Sequence, residues 1–243
     1  MSFRFKLQYK SGSVMSKLTD WFHRLARDRD NAERRAIIEH MREITMKDIP
    51  RDKRWEKQPH RADGEITEIV IHCTASGFGD AETIDRWHKL RGWAGIGYHD
   101  VIMNGHRTPG APYAIDLDGA IEHGRPYDVQ GAHCHGHNHN TIGVCLIGNP
   151  TDISTPDKWF TKRQMAALKA LIMGYIANFP IKQIRGHNHY AVDKDGVPYK
   201  SCPGFMVQSD NHNFGRWILK QISDLNGLDI ANNGETTDAQ GME

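Results

Sequence analysis

The sequence predicts an α/β domain, a central β-sheet flanked by helices, behind an N-terminal helical extension. Three observations carry that expectation. Ile66 and the β-branched run Ile69-Val70-Ile71 lead into His72-Cys73 and read as a central strand. Ile142 and the run Val144 to Ile147 form a second buried strand of the same kind. Between and after them, apolar residues recur at helical spacing, most plainly Met165, Leu168, Ile172, Tyr175 and Phe179, with Pro180 closing the run. Strands alternating with helices define the class. At 243 residues and 38% apolar types, the chain can form one ordinary core with attachments and is too apolar for general disorder.

Taken in order, residues 1–46 form a basic helical extension with two helices between 16 and 44. Leu18, Trp21, Phe22 and Leu25 mark the first, and Ala36, Ile37, Met41 and Ile44 the second. Residues 47–64 are charged, hold two prolines, lack periodicity and read as a linker. The main domain spans 65–226. After the first strand, Asp80 is placed to cap a helix with Ile84, Trp87 and Leu90 inward and Gly92 as its stop. Strands follow at 98–103, 119–121 and 141–148. Thr161 and Gln164 then make a capping box for a helix ending near Asn178. A short strand at 181–186 and a C-terminal helix carrying Phe214, Trp217, Ile218 and Ile222, stopped near Gly227, complete the domain. Residues 227–243 read as a disordered acidic tail.

The net charge of +1 conceals an asymmetry. Residues 1–60 hold 15 Lys+Arg against 9 Asp+Glu, leaving the remainder net acidic. Such a segment suits an anionic surface, and it also suits a solvated basic helix. The longest nearly apolar stretch, 165–179, is too short to cross a membrane, so no transmembrane segment is expected. The first residues lack an apolar run with a cleavage site, so no signal peptide is expected either. The cysteines Cys73, Cys134, Cys145 and Cys202 include no C-x-x-C pair, which favours free or metal-bound thiols over a disulfide framework.

His72 closes a strand, His187 follows another, and Cys202 lies in a loop before the last helix. Two imidazoles and a thiolate leave a fourth tetrahedral position open, the arrangement of a catalytic zinc site. A histidine at a strand end is by default a structural residue, so position alone leaves both readings standing. Paired carboxylates at suitable places are lacking, which disfavours glycosidase chemistry. His133, His135, His137 and His139 alternate, yet Gly136, Asn138 and Asn140 argue for a polar turn rather than a second metal site.

Several blocks decide between those readings: IVIHCTAS at 69–76, IDRWHKLRGW at 84–93, GIGYHDVIMNG at 95–105 and GAHCHGHNHNTIGVCLIGN at 131–149. FTKRQMAALKALI at 160–172, IRGH at 184–187 and KSCPGF at 200–205 extend them. In this order they resemble the N-acetylmuramoyl-L-alanine amidase family, in its phage-lysozyme-like and peptidoglycan-recognition branches, over roughly 65–222. The resemblance implies the family's mixed sheet flanked by helices, and Zn2+ held by His72, His187 and Cys202. It implies Tyr98 and Lys200 as catalytic, and His133, in the G-x-H block, as substrate-binding. The implied reaction is cleavage of the amide between N-acetylmuramic acid and L-alanine of peptidoglycan by zinc-activated water. Cys202 stands where recycling amidases tend to have an aspartate, which favours an endolysin held in the host cytoplasm until the membrane is permeabilised and then acting on the periplasmic wall. A muropeptide-recycling amidase and a peptidoglycan-binding or regulatory module are the alternatives. The resemblance does not reach residues 1–60, for which contact with an anionic envelope, with nucleic acid or with a polymerase is open.

Overall fold

The computed structural model describes residues 52–233, with side chains to residue 226. The helices expected at 16–44 and the tail beyond 233 lie outside the described residues. Five strands form one mixed sheet: β1 Glu68–Cys73, β2 Asp100–Asn104, β3 Asp118–His123, β4 Thr141–Leu146 and β5 Gln183–Gly186, in the order β3-β2-β4-β1-β5. β1 runs parallel to both neighbours, β2 runs parallel to β4, and only β3 is antiparallel. Every residue of β1 and β4 is buried, as parallel strands covered on both faces require.

Four helices surround the sheet before the last one. α1 is Ala81–Leu90, α2 is the single turn Pro156–Trp159, α3 is Lys162–Asn178 and α4 is the turn His187–Tyr190. The side chain of Asp80 accepts the Thr83 N–H at 2.7 Å, and α1 closes with Gly92 at φ +81°. At the head of α3, Thr161 accepts the Gln164 N–H and Gln164 Oε1 accepts the Thr161 N–H. Gln164 also donates from Nε2 to the carbonyls of Ile102 and Ile147, which fastens the helix's first turn to β2 and the end of β4. α5, Asn213–Asn233, ends the described chain. Ile69, Ile71, Val144, Leu168, Ile172, Phe205 and Ile218 share the main core with α3 and α5, while Val101, Ile147, Ile84, Ile96, Val129 and Trp55 form a smaller core on the opposite face. No described helix is long and apolar enough to cross a membrane.

Three expectations are corrected. Leu90 does not point inward but is 81% exposed, because α1 stops there and His88 takes the inward position. The last helix runs through Gly227 to Asn233, since an interior glycine weakens a helix by only about 1 kcal/mol, so residues 227–233 are not a disordered tail. Residues 52–64 are not linker but part of the domain. Trp55 is 3% exposed between the guanidinium groups of Arg54 and Arg125, whose carbons lie 4.5 and 4.8 Å from its ring centroid. Arg61 is buried and donates to the carbonyls of Tyr127, Asn138, His139 and Thr141.

Candidate metal centre

β1 carries His72 as its penultimate residue, and the parallel strand β5 delivers His187 beside it as the first residue of α4. The loop after α4 is pinned back by Asn188, whose backbone N–H donates to the Cys202 carbonyl at 2.7 Å and whose side chain donates to Phe205 O. Cys202 Sγ accepts the Cys73 N–H at 3.3 Å. The result is one compact group: a ligand atom from each of His72, His187 and Cys202, all within 4.8 Å of one another. No other group of this kind occurs among the described residues. The centre lies toward the carboxyl ends of β1 and β5.

The donor set suits a zinc ion. Zn–N and Zn–S bonds of about 2.1 and 2.3 Å at a tetrahedral angle put N and S about 3.6 Å apart. Cys202 Sγ lies 3.9 Å from His72 Nδ1. The other nitrogen of His72, Nε2, is 3.0 Å from His133 Nδ1, so Nδ1 is the atom that faces the centre. Burial, with His133, His187 and Lys200 adding to it, holds the His72 imidazole well below its usual range. Burial and the Lys200 charge lower His187 to about 4. Both rings are therefore neutral at pH 7, the form that ligates. Hydrogen bonding with Cys73 and burial push the Cys202 thiol up, so a cation must displace its proton.

Tyr98 and Lys200 flank this group. The Tyr98 ring centroid is 5.1 Å from that of His72, and burial beside the thiols of Cys145, Cys202 and Cys73 raises its phenol well above 10. Lys200 is exposed, and its charge contributes to the lowering of both His72 and His187. His133 is buried beside His72, and its ring packs over Gly131 and Gly143, where a Cβ would come within 2.5 Å of it.

The remaining histidines of that stretch form a turn. His135 and His139 are exposed, and His137 lies against Tyr190 with ring centroids 4.0 Å apart. His189 is exposed, packs its ring beside Tyr190 and stays outside the metal-binding group. Cys73, Cys134 and Cys145 are buried and free. Sequence reasoning missed His88, whose Nδ1 accepts the Gly97 N–H, and Arg61, which holds the carbonyls of the histidine-rich turn. Neither residue belongs to a periodic pattern that would flag it.

Fold and site together define a class: a mixed-sheet α/β domain with a His-His-Cys group able to hold a metal ion. Residues 62–205 match the family model described as N-acetylmuramoyl-L-alanine amidase, and the chain belongs to that family. It is a peptidoglycan hydrolase with the amidase activity of the family. Its sequence is 35% identical to the endolysin of Escherichia phage T7 over 58% of this chain and 82% of that protein. It is 31% identical to the endolysin of Enterobacteria phage K11 over 63% of this chain and 86% of that protein. Among solved structures it is similar to the amidase LysC from Clostridium intestinale, with 26% identity, a TM-score of 0.46, and coverage of 73% of this chain and 95% of that one.

Proposed function

We propose that this chain is a zinc amidase and a phage endolysin that cuts the amide between N-acetylmuramic acid and L-alanine, with His72, His187 and Cys202 as metal ligands and Tyr98 and Lys200 as catalytic residues. The observation that carries the reading is the convergence of two neutral imidazoles and one thiol within 4.8 Å. Thiolate and imidazole favour zinc over the harder oxygen-seeking cations. Bound zinc would supply a water acidified to a pKa of about 7 and a Lewis acid for the amide carbonyl.

The chain's own groups do the rest. His72 and His187 stay neutral at neutral pH, and each offers one ring nitrogen to the centre. As the amide carbon becomes tetrahedral, negative charge collects on its oxygen, and the Lys200 ammonium offsets it. Tyr98, with its raised phenol, keeps its proton at neutral pH and acts as a hydrogen-bond donor to that oxygen rather than as a base. The C–N bond then breaks, and the alanine nitrogen leaves as an amine after taking up the proton that the attacking water gives up as its oxygen bonds to the carbonyl carbon.

The reading places the protein in the host cytoplasm until the membrane is breached, and at the wall thereafter. The proposed envelope contact of residues 1–60 narrows to 1–51, since 52–60 are built into the domain. That stretch holds 12 Lys+Arg against 7 Asp+Glu, which favours an anionic surface. Deleting 1–51 is expected to lower lysis of permeabilised cells much more than digestion of purified sacculi; equal loss on both overturns that part. For the chemistry, mass spectrometry of digested sacculi is expected to find free L-alanine amino ends on released peptides and intact glycan strands. New reducing sugars would overturn the amidase reading, and metal-free active protein would overturn the zinc reading.

A further inference from the structure

We infer that His133 is a positioning residue for the metal centre, one that fixes which nitrogen His72 offers to the ion, rather than a contact for the substrate. The inference rests on the zinc reading above. Its basis is a chain of single protons that begins at a backbone carbonyl. Thr141 Oγ1 donates to the His137 carbonyl at 2.6 Å, which commits the only proton of that hydroxyl. Toward His133 Nε2, 3.4 Å away, Thr141 Oγ1 is then an acceptor, so the His133 proton belongs on Nε2. His133 Nδ1 is left as a lone pair, and it faces His72 Nε2 at 3.0 Å. His72 must therefore carry its own proton on Nε2, which leaves Nδ1 unprotonated beside Cys202 Sγ. A carbonyl at the end of the histidine-rich turn thus selects the tautomer of a metal ligand three links away.

The seat of His133 is built for this. Its backbone N–H donates to Asn138 Oδ1 at 2.9 Å. Gly131 and Gly143 leave the space its ring fills. Arg61, from the packed N-terminal segment, grips the carbonyls of Asn138, His139 and Thr141 on either side of the relay. Both ring nitrogens of His133 are committed inside the protein, which leaves neither proton nor lone pair for a sugar or a peptide.

The test compares His133→Ala, His133→Asn and Thr141→Val with the parent protein. Zinc affinity is read by chelator competition, the ligand field by the visible spectrum of the cobalt-substituted protein, and KM and kcat on a soluble muropeptide. His133→Ala is expected to weaken zinc binding by roughly 10–100-fold, the usual effect of losing a ligand's hydrogen-bond partner, with KM unchanged. His133→Asn, whose Oδ1 can stand where Nδ1 stood, is expected to recover zinc affinity to within about threefold and to restore the cobalt spectrum. Thr141→Val, which removes only the last link, is expected to weaken zinc by about 3–10-fold, and it carries the test should His133→Ala fail to fold. Parental zinc affinity in both His133→Ala and Thr141→Val overturns the inference, as does a rise in KM for His133→Ala at full zinc occupancy. Failure of Asn to rescue overturns it too. A parent protein that binds no zinc instead sinks the metal reading itself.

Discussion

Replacing Arg61 with methionine tests whether residues 52–64 belong to the working domain. Arg61 is 8% exposed, and burial lowers its pKa to about 10, so it is held charged against a desolvation cost. What offsets that cost is its set of carbonyl partners: Tyr127 O at 2.9 Å, Thr141 O at 2.7 Å, Asn138 O at 3.1 Å and His139 O at 3.3 Å. Water can replace the donor at the two partly exposed bonds, to Asn138 and His139. The two inner bonds, to Tyr127 and Thr141, set the loss at about 1.5–3 kcal/mol each. Methionine keeps most of the apolar stem and returns roughly 1 kcal/mol. The net destabilisation is therefore about 3 kcal/mol. For a domain of this size that lowers Tm by roughly 6–12 °C. Urea unfolding of zinc-free protein measures it without the contribution of the metal, and zinc affinity is expected to fall as well, because the turn that seats His133 loosens. A loss below about 1 kcal/mol would refute the reasoning and return 52–64 to the role of a surface strap.

Cys202→Ala removes a ligand rather than a partner of one, so zinc affinity should drop by more than the roughly 10–100-fold scale of outer-sphere changes, and turnover should vanish with it; metal analysis showing full zinc content would reject Cys202 as a ligand. Lys200→Ala and Tyr98→Phe should each keep zinc and lower kcat by roughly 100–1,000-fold on a soluble muropeptide, and a change confined to KM would reject their catalytic roles. His88 predicts a pH dependence. Burial, with Arg91 and Arg125 adding to it, lowers its pKa to about 4, while the unfolded chain titrates near 6.5. Between those values the unfolded state binds a proton that the folded state refuses, so stability falls as pH drops from about 6.5 to 4, by up to about 3 kcal/mol for this residue. The stability difference between parent and His88→Gln should shrink by that amount between pH 7 and 4, and a difference that stays flat would show that His88 does not titrate this way.

Where the sequence was legible, one local rule acted alone. The capping box at Thr161 and Gln164 starts α3, and Asn178 before Phe179-Pro180 ends it, as the pattern predicts. The β-branched runs of β1 and β4 stand where their composition places them, and the cap at Asp80 and the stop at Gly92 bound α1. Strand edges moved by one or two residues, since pairing partners decide where a ladder ends. Leu90 failed as a core residue because steps of three fall short of the 3.6-residue turn, so the stripe from Ile84 through Trp87 has rotated off the buried face by Leu90, while His88 stays on it. The 52–64 segment failed for a different reason. Its anchors are one indole and one guanidinium among charged neighbours, each buried by partners more than thirty residues away, and no window of local sequence contains that information.

The grouping of His72, His187 and Cys202 was suggested only through resemblance, because residues so far apart in the chain share no local pattern. One local signal did point at the centre, though it concerns its support rather than its ligands. Gly143 sits inside the buried run Thr141–Leu146, a place where strand propensity favours a β-branched residue and where glycine weakens the strand. An interior strand glycine marks a spot that something must approach closely. Here the visitor is His133, whose ring lies where a Cβ on Gly143 would come within 2.5 Å of it. Gly143→Ala therefore converts the signal into a measurement. It leaves every ligand and every hydrogen-bonding side chain in place, yet pushes the His133 ring away from His72. Zinc affinity should fall toward that of His133→Ala while the zinc-free protein remains folded by circular dichroism. Unchanged affinity would mean that the ring can shift without disturbing His72, and that the glycine serves packing alone.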